Sequence, residues 1–228
     1  GLIAAEVALA VVLLAGSGLL VRTVLELHDV ELGFDGSNLL VLELRLSKEA
    51  YPEPADQHAF LADLEREMLS RSAVETFAVS STVPLGRSRS AVWIQFDPDD
   101  VPPGFDGSPT EFPGFGGREG EYTANAVTAT RSYYDALDLP LLWGRLAEPM
   151  APDAEELEVV ISERMASDLW GGREALGEDF RLFDRRLTVV GVIRDVRFGD
   201  VRIDYLPTIY FPMERQNLDR TLRVVVET

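Results

Sequence analysis

Residues 1–22 read GLIAAEVALAVVLLAGSGLLVR, and their reading organises the rest of the chain. Between Gly1 and Val21 the only ionisable side chain is Glu6, and from Val7 to Val21 there is none. A helix of that length rises about 30 Å, the hydrocarbon thickness of a bilayer. Apolar residues occupy every side of it, so it lacks the single stripe of a core-facing helix. The stretch predicts a membrane span. A buried core helix or a signal sequence would satisfy the same length test. Against the signal reading, no basic residue precedes the run, which is longer than the roughly 7–15-residue apolar core of a signal peptide. Glu6 is expected near the membrane interface, where charge is tolerated. The small residues Ala15-Gly16-Ser17-Gly18 would let another helix approach closely. A start at Gly1 rather than Met is what an internal span of a longer polypeptide would show.

Beyond Val21 the chain changes character: Arg22, Glu26, His28, Asp29 and Glu31 arrive within ten residues. The 228 residues include 39 acidic and 21 basic side chains, a net charge of -18. That surface repels phosphate backbones, and no basic patch with interleaved aromatics occurs, so nucleic acid is excluded as a partner. Hydrophobic residues make up 46% of the chain, which supports a packed core. There is no cysteine, which removes disulfides and thiol chemistry.

The helix is expected to extend through Leu32 and break at Gly33-Phe34-Asp35-Gly36. Leu40, Leu42, Leu44 and Leu46 alternate with Val41, Glu43, Arg45 and Ser47, the period of a strand. Pro54 opens a helix to Arg71 whose apolar face is Phe60, Leu61, Leu64, Met68 and Leu69. A second strand spans Val74–Val83, and the pair of strands is expected to form hydrogen bonds with each other around the packed helix. A short strand follows at Ala91–Phe96. Residues 97–121 then hold five Pro, six Gly and seven acids against one Arg, which predicts a mobile loop burying little surface. Its Phe105, Phe112 and Phe115 read either as anchors on the domain or as groups awaiting a partner. Further strands are expected at Tyr122–Ala129, Val159–Ile161, Leu187–Ile193, Ile209–Pro212 and Thr221–Val226. Helices are expected at Thr130–Leu137 and, capped by Ser162, at Glu163–Trp170.

Motifs for chemistry are few. No phosphate loop of the G-x-x-x-x-G-K-[ST] type exists, and Gly114-Phe115-Gly116-Gly117 lacks the strand and helix a dinucleotide fingerprint needs. His28 and His58 lack metal-ligand spacing. Asp97, Asp99 and Asp100 could offer oxygen ligands to calcium, but Pro102, Pro103 and Gly104 stand where a binding loop would continue. No G-x-S-x-G elbow occurs. No catalytic, cofactor-binding or metal-binding residue is therefore assigned, no cofactor is expected, and the chain is not read as an enzyme.

The order of motifs resembles the MacB-like periplasmic core domain of ABC transporter permeases, with an FtsX-like membrane part of the duplicated-permease type. The resemblance rests on the span Glu6–Arg22, on Gly33-Phe34-Asp35 before the leucine strand, and on Ser80-Ser81-Thr82-Val83-Pro84-Leu85. It continues through Tyr133-Tyr134-Asp135-Ala136-Leu137, Gly144-Arg145, Val159–Glu163, Leu169-Trp170, Leu176-Gly177, Val189–Arg197 and Pro207–Pro212. It implies an α+β fold: one N-terminal transmembrane helix followed by a two-lobed extracytoplasmic domain. Residues 1–32 would be the helix and its extension. A split β-α-β lobe would take 38–145 and 219–228, with the flexible acidic loop 97–121. A smaller α/β lobe would be inserted at 146–218. The implied function is non-catalytic coupling of ATP-driven helix motion to an exported substrate or an extracytoplasmic partner. The implied partners are the membrane, an ABC ATPase supplied elsewhere, and a second copy of the domain in a dimer or pseudo-dimer. The implied place is the bacterial cytoplasmic (inner) membrane, with the soluble part periplasmic. The alternative is a stand-alone membrane-anchored ligand-binding or sensor module.

Overall fold

The computed structural model describes residues 1–28, 31–86, 90–110, 112, 115–149, 154–182, 184–199, 204–213 and 221–228. The chain forms two compact units, 1–32 and 33–228. The first is helix α1 (Leu2–His28). Its segment Leu2–Thr23 is long and apolar enough to cross a membrane, and none of it is buried. The expected extension beyond His28 passes through residues 29–30, which lie outside the described residues.

Among the described residues the second unit is built on one ten-stranded sheet. In chain order its elements are β1 (Leu39–Arg45), α2 (Pro54–Leu69), β2 (Thr76–Ser80), β3 (Ala91–Gln95), β4 (Glu121–Ala129) and α3 (Ser132–Ala136). They are followed by β5 (Leu141–Gly144), β6 (Glu156–Ser162), α4 (Glu163–Trp170), β7 (Asp179–Leu182), β8 (Arg185–Ile193), β9 (Thr208–Pro212) and β10 (Thr221–Glu227). The sheet order is β1-β10-β2-β4-β9-β6-β8-β5, with β3 on β4 and β7 on β8.

The expected pairing of β1 with β2 does not occur. The last strand, β10, lies between them and is antiparallel to both, from Leu39↔Glu227 to Arg45↔Thr221 and from Thr76↔Glu227 to Ser80↔Arg223. The physical reason lies in β10 itself: Val224 and Val226 face one side, Val225 the other, and all three are buried. Such a two-sided apolar strand belongs inside a sheet. β1 is left at the edge. Its alternation is real, yet only Leu44 and Leu46 reach the core under α2, while Leu40 and Leu42 stay about half exposed. Helix α2 begins with a capping box between Glu53 and Asp56 and with Pro54 in the first turn. It lays Leu61, flanked by Phe60, Leu64 and Met68, on Phe77, Val79, Leu222, Val224 and Val226.

β2 meets β4 through one register pair, Ser80↔Ala129, so this junction is narrow. Hydroxyls reinforce it: Thr130 Oγ1 accepts from Val79 N at 3.0 Å, and Ser132 Oγ donates to the Phe77 carbonyl at 2.7 Å. α3 is shorter than expected and buries Tyr133 and Tyr134, the latter 6.0 Å from the Tyr210 ring. Farther along, β6 and β8 are parallel, with α4 in the connection between them. Ser162 caps α4 by accepting from Met165 N, and Gly171 ends it at φ 80°.

Loop 97–121 does not follow the expectation of little burial. Phe112 is only 4% exposed and enters the core of Tyr133, Tyr134 and Tyr210. Phe115 packs on Phe112 and Trp93, and Phe105 on Phe96 and Tyr122. Three phenylalanines spaced along a Gly/Pro-rich segment supply enough apolar area to hold it on the sheet.

Candidate functional site

A groove of about 960 Å³ opens between loop 97–121 and helix α4, with residues 204–207 along one side. The loop side is held in place by three kinds of contact. Gly104 N donates to the Leu169 carbonyl at 2.9 Å, and an added Cβ at Gly104 would strike the Asp168 carbonyl oxygen. Thr123 N donates to Thr110 Oγ1 at 3.3 Å, and Gly120 N to the Gly107 carbonyl at 2.9 Å. Phe105, Phe112 and Phe115 line the groove together with Tyr122, Tyr205, Leu206 and Pro207.

The polar side is organised by Arg164. It stands four positions before Asp168 on α4, so both side chains share one helical face. Its Nε lies 2.9 Å from each Asp168 oxygen, and its Nη1 lies 3.6 Å from Asp204 Oδ2. Tyr122 donates its hydroxyl to Asp168 Oδ2 at 3.0 Å. Burial, with the Asp168 charge beside it, pushes the Tyr122 hydroxyl well above its ordinary value, so it stays a neutral donor. Hydrogen bonding to Asp168 raises the Arg164 guanidinium still further.

Asp195 connects this groove to the start of the soluble unit. Its Oδ1 accepts from Arg164 N at 2.7 Å. Its carbonyl oxygen lies against Gly33, at φ 82°, where a side chain would collide with it. Asp35 N donates to the Leu137 carbonyl at 3.1 Å, and Phe34 packs on the central core. Desolvation pushes the Asp195 carboxyl up to about 6, against the lowering effect of the Arg164 hydrogen bond. One residue therefore touches both the first residue of the unit and the helix that lines the groove.

The candidates raised by sequence fall elsewhere, except for the phenylalanines. His58 lies on α2, and the side chain of His28 is outside the described residues. Asp97 accepts from Asp100 N through its carbonyl at 2.9 Å and faces Arg181 at 4.0 Å. Among the described residues no three His, Asp or Glu side chains gather as a metal site. Gly114 is outside the described residues, and Phe115 and Gly117 line the groove rather than a nucleotide loop. Sequence reading missed Arg164, Asp168, Asp204 and Tyr205. The four-residue spacing of Arg164 and Asp168 was a readable signal, whereas their approach to loop 97–121 depends on tertiary structure.

The model of the MacB-like periplasmic core domain family matches residues 4–228. No curated protein matches the sequence. Among solved structures, the chain is similar to the periplasmic region of MacB from Actinobacillus actinomycetemcomitans. That match has 14% identity and a TM-score of 0.45, over 89% of this chain and 79% of that one. It is also similar to the extracellular domain of the ABC-type transporter YknZ from Gram-positive bacteria, at 14% identity, TM-score 0.45, and 84% and 83% coverage. A domain of a permease protein from Porphyromonas gingivalis matches at 17% identity, TM-score 0.43, and 88% and 78% coverage.

Proposed function

Because this chain belongs to the MacB-like periplasmic core domain family of ABC-type transporter permeases, we propose that it couples ATP-driven motion of membrane helices to an exported substrate or an extracytoplasmic partner. It does so without chemistry of its own. The observation that carries the reading is the double contact of Asp195, with Gly33 through its carbonyl and with Arg164 through its carboxylate. Displacement of the chain at Gly33 is then felt on α4 within one residue. Pairing of the first and last strands adds a second path: Thr228 N donates to the Asn38 carbonyl at 3.1 Å, so a load on residue 38 passes directly into β10.

In this proposal the helix Leu2–Thr23 lies in the bacterial inner membrane and the soluble unit outside it. The ATPase is a separate subunit or domain, and two copies of the domain face each other as a dimer or pseudo-dimer. Residues 38–145 with 219–228, and residues 146–218, act as two lobes. A partner-capturing role is favoured by the groove.

The test uses the assembled permease with its ATPase in lipid nanodiscs. The sequence contains no cysteine, so Lys48→Cys in the exposed β1–α2 connection, with a single matching cysteine in the mate where that is a separate sequence, gives each copy one spin-label site. Trapping the ATPase with ATP and vanadate should shift the label-to-label distance between the two domain copies. Identical distance distributions with and without nucleotide would overturn the coupling role.

A further inference from the structure

We propose that the groove between loop 97–121 and α4 is a binding site for an organic cation: an ammonium or guanidinium group carried on an apolar body. Its walls and its charges require different parts of one ligand. The half-buried Phe105 and Phe115 offer aromatic surface, backed by the buried Phe112, Leu206 and Pro207. Among the described residues the charged groups lining it are Asp106, Asp168, Asp204 and one cation, Arg164. Asp168 is satisfied on both oxygens by Arg164 and Tyr122. Asp106 and Asp204 are not neutralised to the same extent. Asp106 uses Oδ1 to accept from Ser108 N at 2.8 Å, and Asp204 uses Oδ1 to accept from Tyr205 N at 2.9 Å. Asp204 stands 3.6 Å from Arg164 with 79% of its side chain exposed.

These numbers decide between ligand classes. An anion would meet three carboxylates against one guanidinium that is already engaged. An uncharged apolar molecule would cover Asp106 and Asp204 without replacing their water. A cation offsets both carboxylates, and its apolar body is buried against the aromatic side chains of the wall. Beside the groove the protein already sets a cation over a ring, with the Arg197 guanidinium 4.4 Å from the Tyr205 ring centroid. The volume lies near the top of the roughly 300–1,000 Å³ range for small-molecule sites, so it admits a drug-sized amine or a short basic peptide segment. The net charge of -18 concentrates cations around the whole surface. The proposal stands on the groove alone and is independent of the coupling role.

Isothermal titration of the full chain in lipid nanodiscs tests it, with empty nanodiscs as the blank. The probes are 4-phenylbutylamine, 4-phenylbutanol, 4-phenylbutanoate and the peptide acetyl-Phe-Arg-Phe-amide. The amine, the peptide or both should bind one-to-one, with the alcohol and the carboxylate at least about tenfold weaker than the amine, a separation of one decade in Kd. Binding of the amine alone identifies a small free cation as the ligand type, and binding of the peptide alone a basic segment. The double variant Asp106→Asn/Asp204→Asn keeps both Oδ1 acceptors and should weaken binding by about tenfold or more, with the unfolding temperature unchanged. Equal affinity for amine and alcohol, no loss in the double variant, or no binding of amine and peptide alike would overturn the proposal.

Discussion

At the scale of single residues, two carboxylates carry opposite pH dependences. Asp195 is raised to about 6 by burial. Above that pH the folded protein holds an ionised carboxylate in a half-buried place, whereas the unfolded chain ionises it freely in water. Its contribution is therefore a penalty that is absent below the ordinary value of 3.8, grows as pH rises from there to about 6, and is fully present above 6. Asp195→Asn, which keeps an oxygen for Arg164 N, should be more stable than the parent at pH 7.5. The expected gain is about 1 kcal/mol after allowing for the solvent-facing side, or about 2–4 °C. The two melting curves should converge near pH 4. Glu158 behaves in the reverse sense. Its bidentate ion pair with Arg145, helped by Glu148 N, holds its carboxyl below the ordinary value of 4.5. That stabilisation is present above pH 4.5 and is lost as pH falls through the lowered value. Glu158→Gln should cost at most about 1 kcal/mol at pH 7, since the pair is partly exposed, and progressively less as pH falls below 4.5. Thermal melts of both variants across pH 3–8 check the crossing signs, and parallel curves would refute them.

At the scale of elements, the Gly144-Arg145 turn shows what a short motif needs from its neighbour. Gly144 takes φ 80°, and the strand β5 it ends packs so closely on β8 that an added Cβ at Gly191 would strike the Arg145 carbonyl oxygen. Neither backbone can retreat, because Arg145 N donates to the Val190 carbonyl at 2.9 Å. Gly191→Ala should cost about 1–3 kcal/mol, the range for forced overpacking, read as a matching drop in the denaturation midpoint. An unchanged midpoint would mean that the two strands separate freely. The elements differ in how far the sequence determined them. Helix α4 was legible from the Ser162 cap to the Gly171 stop because local signals set both ends. The strand period of Leu40–Leu46 was legible too, but its partner was not. β10 lies about 180 residues away in sequence, and nothing local says that it enters between β1 and β2. The groove was least legible. Phe105, Phe112 and Phe115 stood out against their Gly/Pro-rich background, but Arg164 and Asp204 reach them only through the pairing of β4 with β9 and of β9 with β6.

At the scale of the whole molecule, the division between residues 32 and 33 sets the solution behaviour. The 1–32 unit is an apolar helix with its span fully exposed, and the 33–228 unit has its own buried cores on one sheet. A helix of about 20 apolar residues is not soluble alone, whereas a unit of nearly 200 residues buries enough surface to fold by itself. The full chain should therefore stay in the membrane pellet after an alkaline carbonate wash. A fragment beginning at Gly33 should be soluble without detergent. Its acidic surface favours this, since like charge keeps molecules apart. It should also unfold cooperatively, within about 2 °C of the full chain in nanodiscs, because a ΔΔG of 1 kcal/mol shifts a unit of this size by about 2–4 °C. Circular dichroism melts of both proteins make the comparison. A lower midpoint for the fragment would mean that the apolar helix contributes to the stability of the soluble unit. Release of the full chain by carbonate would refute its reading as a membrane span.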